Sequence, residues 1–367
     1  MKFLQWCYKH RIILIIDIIC LLLVWVCTLR FHALEKSAVT QQEGHRWAED
    51  GKPYHQVSAF FPTSDGVTRE TISGYRANLQ RTLLDASFSD SDVTGKLWTD
   101  AYAALSTDSV TKTTQMGTVG KENVKILGVG GDFFLFHPVN LLSGSTFSDH
   151  TANGDLVLID REIAWTLYGS TDIAGQKIYL AGRPFVVSGV YEAEQDKLGL
   201  KASDGKSYLM MDYDTFHEIY KEDPIYSYEA VLPNPVKNFA LNALQNAVGG
   251  ENATAVLVDN EDRFKPKSLL ARFADIQTLM MHTSPVVFPF WENRMRGLEW
   301  QLFCILVLRF FLFLTPLVSA IFALVCFIRQ KGARMWHDFW ARQKEKLRRR
   351  LYERPVKPKV GIEDEDF

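Results

Sequence analysis

Cysteine is missing from the whole central part of this chain. The five cysteines lie in or beside apolar segments near the two ends, and the stretch from Thr28 to Phe303 contains none. A disulfide framework is therefore excluded for that stretch, whichever compartment it occupies. With roughly 270 residues, the stretch is long enough to bury a hydrophobic core without covalent cross-links.

The chain also lacks a strong net charge. Its formal net charge at pH 7 is −2, which gives no indication of nucleic-acid binding. The charges are nevertheless segregated, because residues 329–359 contain twelve Lys or Arg residues against three Asp or Glu residues. The last seven residues, GIEDEDF, are acidic.

Motifs of catalysis and metal binding are absent as well. The nine histidines show neither H-x-x-x-H nor H-E-x-x-H spacing, which argues against a metal site. No G-x-S-x-G motif of a hydrolase nucleophile is present. Near Gly120-Lys121, Glu122 stands where a phosphate-binding loop needs Ser or Thr, so there is no Walker motif. We expect no enzyme activity, no cofactor and no metal ion.

Two long apolar runs lie near the ends of the chain. Residues 12–29 are apolar except for Asp17 and Thr28, and at about 1.5 Å per residue they approach the roughly 30 Å of a bilayer core. A cleaved signal peptide is the alternative, but the run is long for one and no small-residue cleavage site follows it. The second run, residues 302–328, contains Arg309 as its only charged residue.

The basic flanks of both runs predict the topology. Lys2, Lys9 and Arg11 precede the first run, and a basic tail follows the second. The positive-inside rule therefore places the termini, residues 1–11 and 329–367, in the cytoplasm. Residues 30–301 then lie outside a cell membrane that the chain crosses twice.

Four details of the two runs can be predicted. Because Asp17 and Arg309 differ in expected depth, we expect their side chains to reach opposite interfaces rather than to pair. Residues 266–301 are predicted to form a stalk, with a stalk or interfacial turn over residues 297–308. Pro316 is predicted to kink the second span.

The outer region alternates short strand and helix patterns. Outside its centre, strands are predicted over residues 54–62, 96–105, 123–129, 207–212, 226–232 and 254–258. Helices are predicted over residues 68–87, 213–220, 235–248 and 266–279. This order indicates an α+β domain that begins in a ferredoxin-like manner and whose second half returns after an insertion.

The centre of the outer region, from Gly128 to Tyr191, has the pattern of a compact α/β unit. Strands are predicted over residues 156–160, 177–180 and 185–190, and a helix over residues 161–168. The last two strands are joined by the tight turn Ala181-Gly182-Arg183, in which the glycine supplies a positive φ. The unit contains no acid–base pair and no thiol, so it is suited to packing and binding rather than to catalysis.

This central unit resembles the extracytoplasmic domain of MacB-type ABC transporter permeases. In order and spacing, the segment GSTFS at 144–148, a strand ending in an acid, a helix ending in L-Y-G, the turn DIAGQKI at 172–178 and the strand FVVSGVY at 185–191 match the family pattern. The residues that carry the match are Gly144, Phe147, Asp160, Leu167, Tyr168, Gly169, Gly175 and Gly189. We expect the glycines to serve turns and close packing.

The resemblance implies an architecture and a set of partners. It implies a porter-like βαβ subdomain near the membrane with a smaller α/β subdomain, residues 128–204, inserted into it. It also implies transmission of motion across the membrane, with a separate ABC ATPase subunit as energy source. The chain departs from the family in one respect: such permeases have four spans, and here no apolar run follows residue 328.

Two functions follow from these expectations. The first is a non-catalytic membrane subunit of an ABC-type assembly that exports or handles a peptide, an antibiotic or a lipid. Its partners would be the bilayer, an ABC ATPase, and a four-span permease or a second copy of itself. The alternative is an outer-facing binding, adaptor or sensor protein that retains the permease domain but does not transport.

Three further parts of the chain have competing interpretations. The phenylalanines Phe133, Phe134, Phe136 and Phe147 are predicted to be core, with a peptide- or lipid-contacting surface as the alternative. The apolar segment 280–291 either packs on the domain or lies against the membrane or a partner. In the cytoplasmic tail we expect membrane-surface contact, docking to a partner, or a solvated basic flank. The tail residues concerned are Trp336, Trp340, Arg348, Arg349 and Arg350.

Overall fold

The computed structural model describes residues 11–38, 42–47, 53–88, 96–115, 117–147, 154–249, 254–274, 281 and 285–352. The chain divides into two compact units. The first, Leu29–Leu306, contains the region that the sequence predicts to lie outside the membrane, and we call it the outer domain. The second contains the described residues up to Thr28 and from Val307 onwards.

The secondary structure alternates between helices and strands. In the described ranges, the helices are α1 (Arg11–Lys36), α2 (Glu43–Trp47), α3 (Arg69–Asp85), α4 (Phe133–Phe136), α5 (Arg161–Tyr168), α6 (Lys197–Ala202), α7 (Tyr213–Ile219), α8 (Phe239–Ala247), α9 (Pro266–Ala274) and α10 (Phe290–Tyr352). The strands there are β1 (Tyr54–Phe60), β2 (Thr99–Thr114), β3 (Gly117–Gly131), β4 (Asn140–Gly144), β5 (Leu156–Asp160), β6 (Lys177–Leu180), β7 (Arg183–Glu192), β8 (Tyr208–Asp212), β9 (Ile225–Pro233) and β10 (Val256–Asp259).

The strands form one mixed sheet in the order β10-β1-β9-β2-β3-β8-β5-β7-β4, with β6 pairing with β2 and β7. In its first part, β1-α3-β2 and β9-α8-β10 are two βαβ halves with the order β10-β1-β9-β2, which is the ferredoxin-like arrangement. The mixed α/β domain that the sequence indicates is therefore confirmed. The parallel pairing of β3 with β8 joins the remaining strands to this part.

Successive side chains of a strand point to opposite faces of a sheet. In this sheet, buried apolar side chains form one cluster on each face. In β2, Tyr102 and Ala104 belong to one hydrophobic cluster, whereas Ala101 and Ala103 belong to another. The first cluster includes buried residues of α3, α5, α7 and α8. The second is built by the phenylalanines of α4 and by Trp291 in the first turn of α10.

The turn between β6 and β7 differs from the sequence expectation in one respect. Leu180 pairs with Arg183, so two residues connect the strands, and both have positive φ: 49° at Ala181 and 78° at Gly182. Two positive φ values are what a type I′ turn requires, and this turn type follows the right-handed twist of the strands. Gly182 is therefore one of two residues with positive φ in this turn, and Ala181 is the other.

Of the stalk or interfacial turn predicted over residues 297–308, the turn is wrong. These residues lie inside α10, which runs from Phe290 to Tyr352 and has Pro316 in its interior. Of the predicted stalk, α9 begins at Pro266 as expected, and residues 275–280 and 282–284 lie outside the described residues. The bend at Pro316 stays a prediction.

Two helices of the described chain are long and apolar enough to cross a membrane, namely α1 and the part of α10 up to Arg329. Asp17 does not extend toward an interface as expected. Its side chain is buried and accepts a hydrogen bond from Oγ of Ser319, 3.1 Å away. A carboxylate among apolar helices is stabilised by such a polar partner, and the sequence alone does not show which faces of two helices meet.

Candidate functional site

The glycines of the central unit allow two strands to approach closely. Gly144 of β4 pairs with Gly189 of β7. Gly144 has a φ of +72°, and a Cβ atom there would lie 2.1 Å from the carbonyl oxygen of Ser188. A Cβ on Gly189 would lie 2.7 Å from the carbonyl oxygen of Ser143. No side chain fits at Gly144 without moving the backbone of β7.

Four more residues of the central unit form and anchor α5. Asp160 caps the helix by accepting a hydrogen bond from the backbone N–H of Ile163 at 2.8 Å. It accepts a second hydrogen bond from the backbone N–H of Tyr208 at 3.1 Å. Leu167 packs in the first hydrophobic cluster. The hydroxyl of Tyr168 donates to the carbonyl oxygen of Lys177 at 2.6 Å, and Gly169 ends the helix with a φ of 67°.

The remaining two residues of the central unit also have packing or turn positions. Phe147 is buried in the second hydrophobic cluster, with its ring 5.1 Å from that of Phe134. Gly175 occupies a turn before β6 with a φ of 84°. The structure thus places all eight family-motif residues in packing, capping or turn positions, and it does not bring them together as one site.

The tail residues lie on α10. The rings of Trp336, Phe339 and Trp340 contact one another, with centroids 6.1–6.3 Å apart. The two tryptophans are 66% and 51% exposed. Arg349 donates to Glu345 at 3.1 Å, Arg348 is exposed, and the side chain of Arg350 lies outside the described residues. These three aromatic side chains form an exposed surface on one helix.

The strongest polar feature was not predicted from the sequence. We define the arginine cluster as Arg263, Arg272, Glu292, Arg296 and Glu299. Arg263 is completely enclosed and donates to both oxygens of Glu292, at 2.8 and 3.0 Å, and to Glu299 at 2.7 Å. Arg272 donates to the same oxygen of Glu299 at 2.7 Å, and Arg296 donates to Glu292 at 3.0 Å.

The arginine cluster fixes the first turns of α10 to the loop after β10 and to α9. Burial raises the pKa of the Glu292 carboxyl, but the charge and hydrogen bonds of Arg263 more than offset this and lower it from its ordinary value. Glu292 is therefore ionised at neutral pH, and the carboxylates of Glu292 and Glu299 are both paired with Arg263. An apolar cluster that includes Phe31, Leu269 and Leu298 packs the same region.

A chain of buried hydrogen bonds leads from the arginine cluster across the sheet. Arg263 donates to the side-chain oxygen of Asn260 at 3.1 Å, and Asn260 donates to Ser58 at 2.8 Å. Ser58 donates to Oε1 of Glu229 at 2.9 Å. Oε2 of Glu229 lies 2.6 Å from Nε2 of His137. We call Asn260, Ser58, Glu229 and His137 the polar relay.

The polar relay ends at a cavity of about 400 Å³. The ring of His137 packs against that of Trp291, with centroids 4.4 Å apart and planes tilted by 40°, and both residues line this space. We call it the aromatic cavity, because five Phe, Tyr and Trp side chains contribute to its wall: Phe133, Tyr191, Tyr208, Phe290 and Trp291. Phe290 and Trp291 belong to the first turn of α10, so the cavity and the arginine cluster share that helix.

The predicted core position of the phenylalanines is borne out for three of them. Phe133, Phe136 and Phe147 are buried, and Phe134 packs against the same cluster. The described part of segment 280–291 packs on the domain as well, because Val286, Phe288 and Trp291 are buried there.

Glu261, close to the polar relay, is expected to make stability depend on pH. Burial raises its pKa to about 7, so the folded protein binds this proton more tightly than the unfolded chain. Its contribution to stability is present below about pH 4.5 and is lost as the pH rises through 7. At pH 8, Glu261→Gln should stabilise the outer domain by up to about 3 kcal/mol.

Thermal unfolding of the solubilised chain at pH 5 and pH 8 measures this effect. The gain from Glu261→Gln should be larger at pH 8 than at pH 5. The exposed Glu222 supplies the matched control, since Glu222→Gln should change stability little at either pH. An equal effect of Glu261→Gln at both pH values would contradict the assignment.

The sequence contained one signal of the arginine cluster. Glu292, Arg296 and Glu299 recur at the spacing i, i+4, i+7, which places three charges on one face of a helix. Such a face is ordinarily exposed to solvent. Its partner Arg263 is 29 residues from Glu292, and the sequence gives no indication of their pairing.

Comparison with known proteins identifies the family. A family model described as the MacB-like periplasmic core domain matches residues 54–249, which is more than half of the 367 residues. The chain belongs to this family. The MacB-like core domain thus extends from β1 to just beyond α8, and it includes the central unit whose residues resemble the family. No curated protein shows a significant match over its sequence.

Two solved structures are similar to this MacB-like chain. One is the extracellular domain of the noncanonic ABC-type transporter YknZ from Gram-positive bacteria, at 13% identity and a TM-score of 0.38, covering 56% of this chain and 100% of that one. The other is the periplasmic region of MacB from Actinobacillus actinomycetemcomitans, at 12% identity and a TM-score of 0.39, covering 60% of this chain and 92% of that one.

In the MacB-like chain, Ser58, Glu229 and His137 of the polar relay lie inside the matched core domain, whereas Asn260 and the whole arginine cluster lie beyond it. The two helices apolar enough to span a membrane lie on either side of the core domain in the sequence. The chain is thus a membrane protein of the MacB-like permease family.

Proposed function

We propose that the chain is a non-catalytic subunit of an ABC-type transporter assembly. Its outer domain would couple to the export or handling of a peptide, an antibiotic or a lipid, with ATP hydrolysed by a separate subunit. Membership of the MacB-like family supports the assignment to membrane transport. The partners proposed are an ABC ATPase, and a four-span permease or a second copy of this chain.

The arginine cluster is the observation that carries this proposal. It holds the first turns of α10 in the outer domain through five charged side chains, of which Arg263, Glu292 and Glu299 are fully enclosed. The same helix continues through the second apolar segment to Tyr352. A helix fixed in this way at one end is suited to pass a displacement along its axis.

The membrane topology belongs to the same proposal. The basic flanks of both apolar helices favour a cytoplasmic position for both termini, with the core domain outside the cell membrane. We divide the outer region into a porter-like part and an insertion over residues 128–204. The ferredoxin-like strand order of the porter-like part supports this division. The strands β4 to β7, which all lie within residues 128–204, support it as well.

Purification in mild detergent tests the proposed assembly. We expect an ABC ATPase to co-purify with the tagged chain and its ATPase activity to increase in the reconstituted complex. Recovery of neither an ATPase nor a four-span permease would contradict the proposal. Recovery of an ATPase whose activity the chain does not change would favour the alternative, an outer-facing adaptor or sensor protein.

The aromatic surface on α10 is the proposed contact with the ATPase. Large aromatic side chains dominate the energetics of many protein interfaces, so replacing Trp336, Phe339 and Trp340 together by serine should lower ATPase recovery about tenfold or more. The control replaces the exposed Arg348 and Arg349 by serine, which should lower recovery only slightly. Equal recovery with both variants would show that this surface is not the contact.

A further inference from the structure

The aromatic cavity has the dimensions of a small-molecule site. At about 400 Å³ it falls within the range of roughly 300–1,000 Å³ seen for ligand pockets. It is enclosed by α4, α6, β7, β8 and the first turn of α10, so its walls come from separate elements of the outer domain. Aromatic rings on several sides provide a flat apolar surface for a ring-bearing molecule.

Two tyrosines contribute hydroxyl groups to the wall of the aromatic cavity. Tyr191 and Tyr208 are only 4% and 9% exposed, and in the described part of the chain neither hydroxyl has a hydrogen-bond partner. Burial raises the pKa of both phenols, so both stay protonated at neutral pH. A phenol hydroxyl in a mostly apolar wall is stabilised when it finds a hydrogen-bond partner. An oxygen atom of a ligand would supply that partner.

The charges at the rim favour a neutral occupant. Glu192 pairs with Arg161 at 2.6 Å. Arg294 pairs with Glu194 and lies 3.3 Å from Asp196. Because these charges are matched within the protein, an ionic ligand gains little from them and loses its hydration. Lys206, also on the rim, is exposed to solvent.

The aromatic cavity adjoins a second pocket of about 450 Å³ with a polar wall. Four residues line both spaces: Ala193, Glu194, Ser203 and Lys206. A molecule whose apolar ring system fills the aromatic cavity would thus place a hydrophilic end in the polar pocket.

We propose that the aromatic cavity binds a neutral, ring-bearing apolar molecule through an oxygen atom that accepts hydrogen bonds from Tyr191 and Tyr208. This binding is a property of the outer domain and does not require an ATPase. Its bound molecule contacts Phe290 and Trp291, and so touches the first turn of α10 beside Glu292.

The test uses the full chain in lipid nanodiscs and two fluorinated probes observed by ¹⁹F NMR. The first, 6-fluoro-2-naphthol, carries an oxygen, and the second, 2-fluoronaphthalene, does not. Line broadening is compared with that in empty nanodiscs, which corrects for partition into lipid. We expect the unchanged chain to bind the naphthol about tenfold more tightly than the probe without oxygen, as two hydrogen bonds permit.

Three variants locate the binding. Replacing both Tyr191 and Tyr208 by phenylalanine keeps the rings and should abolish the preference for the naphthol. Met210→Trp fills the cavity and should remove binding of both probes. Tyr226→Phe is the matched control, because Tyr226 is buried in the same hydrophobic cluster but does not line the cavity. This control should bind like the unchanged chain.

Three results would overturn the proposal. One is broadening by the unchanged chain that equals broadening in empty nanodiscs. Another is equal binding by the unchanged chain and the Met210→Trp variant, which would place the probe elsewhere. The third is an unaltered naphthol preference after both tyrosines are replaced. Since the double phenylalanine variant removes no ring, its far-UV circular dichroism should match that of the unchanged chain.

Discussion

Replacing Arg263 by methionine is expected to destabilise the outer domain by about 3–5 kcal/mol, because it removes one partner of a buried charge cluster. Glu292 and Glu299 would lose the guanidinium that pairs with both of them. At about 2–4 °C per kcal/mol for a domain of this size, the melting temperature should fall by about 10 °C. Thermal unfolding of the solubilised chain, followed by circular dichroism, measures the change.

Arg272 supplies the control for this prediction. It is partly exposed and, among the described residues, donates to Glu299 alone. Glu299 keeps its bond to Arg263 when Arg272 is replaced. Arg272→Met should therefore lower stability by only about 1 kcal/mol. Combining Arg263→Met with Glu292→Gln, Glu299→Gln and Arg296→Met should recover much of the loss, because the buried charges of the cluster are then removed together. A loss from Arg263→Met no larger than that from Arg272→Met would contradict the assigned role of the cluster.

Gly144→Ala is expected to disrupt the pairing of β4 with β7. The new Cβ would lie 2.1 Å from the carbonyl oxygen of Ser188, and the residue would also keep a φ of +72°. Because the atom it meets belongs to the backbone of β7, the strand itself must shift. We expect the free energy of unfolding to fall by about 4 kcal/mol or more. A single substitution has so large an effect only through a specific mechanism such as this steric clash.

Gly169→Ala separates the steric part of this effect from the conformational part. Gly169 has a similar φ of +67°, but a Cβ there would meet no atom within 4 Å. Only the left-handed backbone is then unfavourable, at roughly 1–2 kcal/mol. Urea unfolding of both variants gives the comparison. Equal losses would show that the strands separate easily and that close packing at Gly144 is unimportant.

Much of the fold was predictable where local signals agree. β5, α5 and β6 have the boundaries that the sequence indicates, because each apolar run is short and ends at a turn or capping residue. Asp160 illustrates this agreement: it ends a strand and accepts the first hydrogen bond of the next helix. The order of strands and helices around the central unit also follows from periodicity alone.

Other elements depend on contacts that periodicity does not show. β2 extends to Thr114 and β3 begins at Gly117, although their outer halves are polar and were not predicted as strands. They form because they pair with each other, and because Val110 of β2 pairs with Leu180 of β6. β4 was missed as well, since four of the five residues of this edge strand are exposed and its side chains show no alternation.

The polar site was unpredictable for a related reason. Ser58 and Glu229 are 171 residues apart in the chain, and only the adjacent pairing of β1 and β9 brings them together. His137 reaches Glu229 from a different element again. A pair of buried polar residues has no local sequence pattern, so the residues of the relay are indistinguishable from surface residues until the sheet order is known.

The alternation of β2 between two hydrophobic clusters has a consequence for how this domain can be altered. Tyr102 and Ala104 face the side covered by α3, α5, α7 and α8, whereas Ala101 and Ala103 face the side of the aromatic cavity. The two clusters have no residue in common, so changes to side chains in different clusters should combine nearly additively. Variation during evolution can then reshape the cavity side while the helix-covered side keeps the domain folded.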